Sequence, residues 1–165
     1  MTDRRDGMHY APKGKPKPVV GPGEFRFAAI GLDHGHIYGM CNGLIEAGAE
    51  LAAVYDPDPA KVERFVAAFP GTKVARSEQE ILQDPDIRLV ASACVPSERC
   101  ALGLRAHDHG KHYFADKPAF TTLEQLEMAR RKVRETGLKW GIYYSERLHV
   151  ECAVYAGRLI EEGAI

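Results

Sequence analysis

Six short apolar runs, each separated from the next by an amphipathic stretch, limit what this chain can become more than any other feature. The runs "FRFAAI" (25–30), "ELAAVY" (50–55), "TKVA" (72–75), "IRLVASA" (87–93), "KHYFA" (111–115) and "KWGIYY" (139–144) have the length of buried strands. Between the first two, residues 36–48 read as a helix closed by Gly48, a residue suited to a left-handed cap. Val62, Phe65, Val66 and Phe69 recur at helical spacing and predict a helix over 58–69, stopped by Pro70-Gly71. Ser77 with Glu80, and Thr121 with Glu124, have capping-box spacing, in which a hydroxyl accepts from a free backbone amide and the acid returns the bond. They open a brief helix ending at Asp84-Pro85 and a longer one ending at Gly137. Residues 97–109 form another helix, and Leu148, Cys152, Tyr155 and Leu159 give a last helical stripe. Strands alternating with helices build βαβ units, so the expected fold is α/β, a doubly wound parallel sheet covered on both faces.

Composition narrows the possible partners. The 22 Lys and Arg nearly balance the 23 Asp and Glu, which leaves no net field to attract nucleic acid or a membrane surface. The balance is uneven, because residues 1–23 carry a net charge of +3. "APKGKPKPVVGPG" (11–23) favours extended, solvated chain, so residues 1–23 are expected to be a flexible basic arm ahead of one domain over 24–165. Cys41, Cys94, Cys100 and Cys152 lack CxxC spacing and have small apolar neighbours, as expected of buried, reduced thiols in a cytoplasmic protein. Arg4-Arg5 is followed by no apolar stretch of the kind an export signal needs, and no run is long enough to span a membrane.

A doubly wound sheet binds ligands beyond the carboxyl ends of its strands, so the residues that follow each strand matter most. After the first strand comes Gly31-Leu32-Asp33-His34-Gly35-His36. Against the dinucleotide fingerprint G-x-G-x-x-G only Gly31 is in register, with Asp33 and His36 replacing the later glycines. The first glycine still permits the turn, and the amides of residues 32–36 still face an anion at a helix start. Asp33 would repel a pyrophosphate unless its charge is spent, and capping of the helix is the expected means; His34 or His36 then donates to the phosphate. After the second strand, Asp56 lies 25 residues beyond Gly31, close to the spacing of a ribose-binding acid, and favours NAD over NADP because a carboxylate repels a 2′-phosphate. His107, Asp108, His109 and His112 have ligand chemistry but diverge on a helix, so they read as a solvated polar face and no metal is expected.

The stretches "AAIGLDHGHI", "AVYDPDPAK", "GKHYFADKP" and the late "ERL" resemble the glucose-fructose oxidoreductase and inositol dehydrogenase family, Gfo/Idh/MocA, over most of residues 25–165. The resemblance implies a Rossmann-type NAD-binding domain of an oxidoreductase that moves a hydride between a nicotinamide and a polyol, sugar or related hydroxy compound. Asp116-Lys117-Pro118 stands where the family has Glu-Lys-Pro, which implies Lys117 as the catalytic residue between nicotinamide and substrate, with Pro118 fixing the strand end, a cis peptide among the options. Where the family often has Pro-Asn-x-x-His, this chain keeps Pro96 as a cofactor-side residue but continues Ser97-Glu98-Arg99-Cys100. Family members continue into a second α+β domain that is not recognised before Ile165, so the chain reads as incomplete as a catalyst alone. A homo-oligomer is expected. The alternative is a non-catalytic nucleotide-binding or scaffolding module.

Overall fold

A computed structural model describes residues 17–165, and most of the arm expected over 1–23 therefore lies outside the described residues. The described part folds as two compact units, one reaching to Tyr143 and one over 144–165. The first is a six-stranded, wholly parallel sheet: β1 (Arg26–Ile30), β2 (Glu50–Tyr55), β3 (Lys73–Val74), β4 (Ile87–Ser92), β5 (His112–Asp116) and β6 (Trp140–Tyr143). The spatial order is β3-β2-β1-β4-β5-β6, so the chain winds outward from β1 to one edge, returns beside β1 and winds outward to the other. The connecting helices are α1 (His36–Glu46), α2 (Pro59–Ala68), α3 (Glu78–Gln83), α4 (Pro96–Asp108) and α5 (Leu123–Thr136). This is the doubly wound Rossmann arrangement that the alternation predicts.

The pleat sends alternate residues of one strand to opposite faces, and both faces are buried. Ala28 and Ile30 of β1 pack with Val90, Tyr113 and Ala115 against the α3 and α4 side, including Ile81, Leu82, Leu102 and Ala106. Phe27 and Ala29 pack with Val54 and Ala91 against Ile37, Met40 and Cys41 of α1 and Val62 and Phe65 of α2. A strand clothed on both sides has no polar face, which is why these strands read as continuous apolar runs. Gly103 of α4 sits so close to Tyr113 and Trp140 that an added Cβ would lie within 2.5 Å of both rings, so α4 lies directly on the sheet.

The helix ends follow the sequence with two local differences. Ser77 Oγ accepts from Glu80 N as its spacing predicts, but the Glu80 carboxylate returns to Arg76 N. The cap of α5 is Thr122, which accepts from Gln125 N, whereas Thr121 N and Oγ1 both donate to Gln125 Oε1. The expected box is thus displaced by one residue, because glutamine reaches back as well as glutamate does. Cys41, Cys94 and Cys100 are buried free thiols, but Cys152 is exposed, contrary to expectation. In the second unit, the expected last stripe is broken at Val150 into α6 (Glu146–His149) and α7 (Glu151–Glu161); the extended backbone of Val150 ends one helix and starts the other. No described helix is long and apolar enough to cross a membrane. The backbone amide of Val19, in the described end of the arm, donates to the carbonyl of Ala47 at 2.9 Å.

His107 is buried on α4, with Nδ1 3.1 Å from Thr136 Oγ1 and its ring 5.3 Å from that of Trp140. Burial holds its pKa below the ordinary 6.5, and burial lowers that of His112 as well. Because both folded-state values are depressed, neither ring costs stability above that pH; as pH falls through it, the unfolded chain takes up protons first and the fold loses stability. Urea unfolding followed from neutral to mildly acid pH will show this decline, and His107→Gln will flatten it; an unchanged slope in that variant would refute the assignment.

Candidate functional site

Parallel strands bring all their carboxyl ends to one rim, and the order reverses between β1 and β4. Gly31 stands at that reversal. Its amide donates to the Tyr55 carbonyl at 3.1 Å and its carbonyl accepts from Ala93 N at 3.0 Å, so it is fastened to the ends of β2 and β4 together. Its φ of +76° is left-handed, and an added Cβ would lie 2.5 Å from Cys94 Cβ, so only glycine fits. The turn then delivers α1 to the rim. Gly35 is the N-cap of α1 and supplies no side-chain cap, but the first amides are met locally, His36 N by His34 Nδ1, Ile37 N by the His34 carbonyl and Tyr38 N by the Gly35 carbonyl. The eleven-residue helix therefore turns its dipole, not free donors, toward the rim.

On the β2 side three charged groups interlock. Asp56, its side chain 1% exposed, accepts from Leu32 N at 2.7 Å through one oxygen and from Asp58 N at 2.9 Å through the other. The ribose acid of the sequence reading thus holds the glycine turn in place. Asp33 does not cap α1, contrary to expectation: the turn carries its side chain away from the helix, where one oxygen meets Lys61 Nζ at 2.5 Å and the other accepts from Val95 N at 3.2 Å. Its charge is therefore met by α2 and by the start of α4. Lys61 Nζ is also 3.7 Å from Asp56, and the bond to Asp33 raises the lysine above its ordinary pKa. These residues line a cavity of about 480 Å³ together with Tyr55, Pro57 and Arg105.

On the β5 side the centre is Asp116, 1% exposed. Its Oδ1 accepts from Lys117 N at 2.8 Å and lies 2.8 Å from His36 Nδ1; its Oδ2 lies 3.1 Å from Arg99 Nη2 and 3.4 Å from His34 Nδ1. Arg99, itself 2% exposed, also donates from Nε to the Cys94 carbonyl at 2.7 Å and from Nη1 to the Pro118 carbonyl at 3.0 Å. One guanidinium therefore ties the end of β4 to the end of β5 across a cis Lys117-Pro118 peptide. Asp33, His34, His36, Pro96, Lys117 and Pro118 belong to the lining of a second cavity of about 500 Å³. Asp33, Cys94 and Val95 line both cavities, so the two adjoin at the strand reversal and together form the candidate groove. Burial raises the pKa of Cys94, so the groove holds a neutral thiol there.

The structure brings Gly31, Leu32, Asp33, His34, Gly35, His36, Asp56, Pro96, Lys117 and Pro118 to this one rim. Arg99 and Lys61 are what the sequence reading missed, and Asp116, read only as standing in the place of the family's glutamate, proves to be the centre of the β5 side. Arg99 had a legible signal, an arginine on the buried stripe of Leu102, Gly103 and Ala106. Cys100, in the place of the family's histidine, turns away and donates to the Gln125 carbonyl, so it offers nothing to the groove. The histidines of 107–112 do not converge: His107 pairs with Thr136, His109 with Gln79, and His112 accepts from Lys139 N. His34, His36 and Asp116 do converge, with ligand atoms within 4.8 Å of one another. However, both oxygens of Asp116 are already engaged, one of them by a guanidinium, so the cluster reads as a hydrogen-bonded network better than as a metal site.

Residues 19–144 match the family described as "Oxidoreductase family, NAD-binding Rossmann fold", Gfo/Idh/MocA. The chain is 29% identical over 143 residues to scyllo-inositol 2-dehydrogenase (NAD(+)) of Bacillus subtilis, covering 86% of this chain and 42% of that protein. It is 37% identical over 107 residues to an inositol 2-dehydrogenase/D-chiro-inositol 3-dehydrogenase of Lacticaseibacillus casei, covering 64% of this chain and 30% of that one. Among solved structures, one described as an oxidoreductase from Erwinia carotovora atroseptica superposes with a TM-score of 0.79 at 46% identity, over 85% of this chain and 42% of that one. The chain thus spans less than half the length of the curated relatives it matches.

Removing Arg99 leaves the buried Asp116 carboxylate without its guanidinium. Arg99→Ala is expected to lower unfolding free energy by about 3–5 kcal/mol, measured by urea denaturation; a loss under about 1 kcal/mol would show that the pair carries little of the rim.

Proposed function

The chain belongs to the Gfo/Idh/MocA oxidoreductases through their NAD-binding Rossmann domain, and from that we propose that its groove holds a nicotinamide dinucleotide for hydride exchange with a polyol, sugar or related hydroxy compound. The observation that carries this reading is the adjacency of the two cavities, which share Asp33, Cys94 and Val95 at the strand reversal, beside the start of α1. The adenosine half takes the side of Tyr55 and Asp56. The pyrophosphate takes the turn of residues 31–36, where the α1 dipole and His34, more than half exposed, face it, the amides of Leu32, His34 and His36 being already bonded within the protein. The nicotinamide half takes the side of Lys117 and Pro118.

NAD fits this groove better than NADP. Asp33, Asp56, Glu78 and Glu98 line the adenosine half with two cations, and both cations are occupied: Lys61 by Asp33, and Arg105 by Glu78 through bonds of 2.6 and 3.0 Å. A 2′-phosphate would enter among carboxylates with no unengaged cation to receive it.

The bound nicotinamide supplies the hydride acceptor or donor. Lys117 provides what the substrate oxygen needs, an ammonium that stabilises an alkoxide or exchanges its proton. Asp116 holds the lysine's backbone amide, and Arg99 holds Asp116, so the lysine stands on a rigid strand end. Relatives named as inositol dehydrogenases and as a D-xylose dehydrogenase support a polyol or sugar as the substrate class.

Titration with NADH, followed by nicotinamide fluorescence, will saturate, and Gly31→Val will abolish saturation by crowding Cys94. Lys117→Ala will leave NADH affinity within about threefold and reduce any polyol-dependent reduction of NAD by about 10²–10⁴-fold. Absence of NADH binding at millimolar concentration would overturn the reading; binding with no Lys117-dependent turnover on any polyol would leave a nucleotide-holding module.

A further inference from the structure

The glycine turn contains one residue that the dinucleotide reading alone does not explain, a carboxylate at the place where the fingerprint has its second glycine. Asp33 lies between the two halves of the groove, and its oxygens reach in two directions, to Val95 N and to Lys61 Nζ. Lys61 comes from the first turn and a half of α2, is about a quarter exposed, and shares the adenosine cavity with Tyr55, Asp56 and Pro57. Asp56 cannot serve as the discriminating acid in the usual way: it is buried, and both of its oxygens are bonded to backbone amides. Arg105 is gripped by Glu78. Of the two cations that line this half of the groove, Lys61 is thus held mainly by its 2.5 Å pair with Asp33, with Asp56 farther off at 3.7 Å.

We propose that Asp33 is the specificity-determining residue for the cofactor: by holding Lys61 it withholds the ammonium that a 2′-phosphate would need, and so selects a dinucleotide with a bare 2′-hydroxyl. The inference rests on the reading that the groove binds a nicotinamide dinucleotide. It explains why a carboxylate is tolerated beside a pyrophosphate: its charge is divided between Lys61 and the Val95 amide. It also assigns discrimination to a partly exposed pair on the groove wall, where an added phosphate dianion would face the Asp33 carboxylate while Lys61 stays engaged.

Two effects of removing the carboxylate must be separated. Loss of repulsion toward the pyrophosphate strengthens NADH and NADPH alike, whereas release of Lys61 strengthens NADPH alone. The ratio of the two affinities therefore isolates the proposal. NADH and NADPH are titrated against the intact chain, its Asp33→Asn and Lys61→Ala variants, and the double variant, at low ionic strength and with thermal melting as a control for folding. The unaltered chain will prefer NADH. Asp33→Asn will shift the ratio toward NADPH by about tenfold or more, and Lys61→Ala added to it will cancel the shift. Asp33→Ser repeats the test with a smaller uncharged side chain should the asparagine variant melt early. An unchanged ratio in both Asp33 variants, a shift that survives loss of Lys61, or an initial preference for NADPH would overturn the proposal while leaving dinucleotide binding intact. Failure of both nucleotides to bind the unaltered chain would overturn it together with the function on which it rests.

Discussion

Gly31 is bonded through its own backbone to the strands on either side of it, and the working rim depends on that double attachment. The amide fixes it to β2 and the carbonyl to the segment after β4, so the chain must turn within one residue before α1 can begin. A residue with a Cβ would have to displace Cys94 and adopt an unfavourable φ at the same time. Asp56 reinforces the turn from below by accepting the next amide, that of Leu32. The position of everything that follows on the rim, from Asp33 to the start of α1, is inherited from this small stitched region.

Charge on the rim is organised as two separate circuits. On the β2 side Asp33, Lys61 and Asp56 share one cation between two carboxylates, with Lys61 and Asp33 partly exposed. On the β5 side Asp116 and Arg99 are both buried and are committed by several bonds each, so any change there is felt as lost stability.

The architecture was legible because a parallel sheet clothed on both faces leaves two strong periodicities, continuous apolar runs and stripes at helical spacing. Gly31, Asp56 and Lys117 were legible as members of one rim because parallel strands present all their carboxyl ends together. What each side chain touches was not. Asp33 was expected to cap α1, but the direction of a side chain leaving a tight turn depends on Lys61, 28 residues away, and on the Val95 amide, 62 residues away. Asp116 read as a shortened glutamate, and its four partners come from the glycine turn, α1, α4 and its own strand end, a convergence that no local pattern records. The displaced cap at Thr122 and the break at Val150 are differences of backbone detail, where neighbouring residues of similar chemistry compete for one role.

The chain has a single tryptophan, and it is Trp140, packed edge-on to Tyr113 at 5.0 Å and beside the imidazole of His107. An imidazolium withdraws electrons from an excited indole far more effectively than a neutral ring does. Intrinsic emission from this one residue accordingly reports, without any label, when a proton enters the layer between α4 and the sheet.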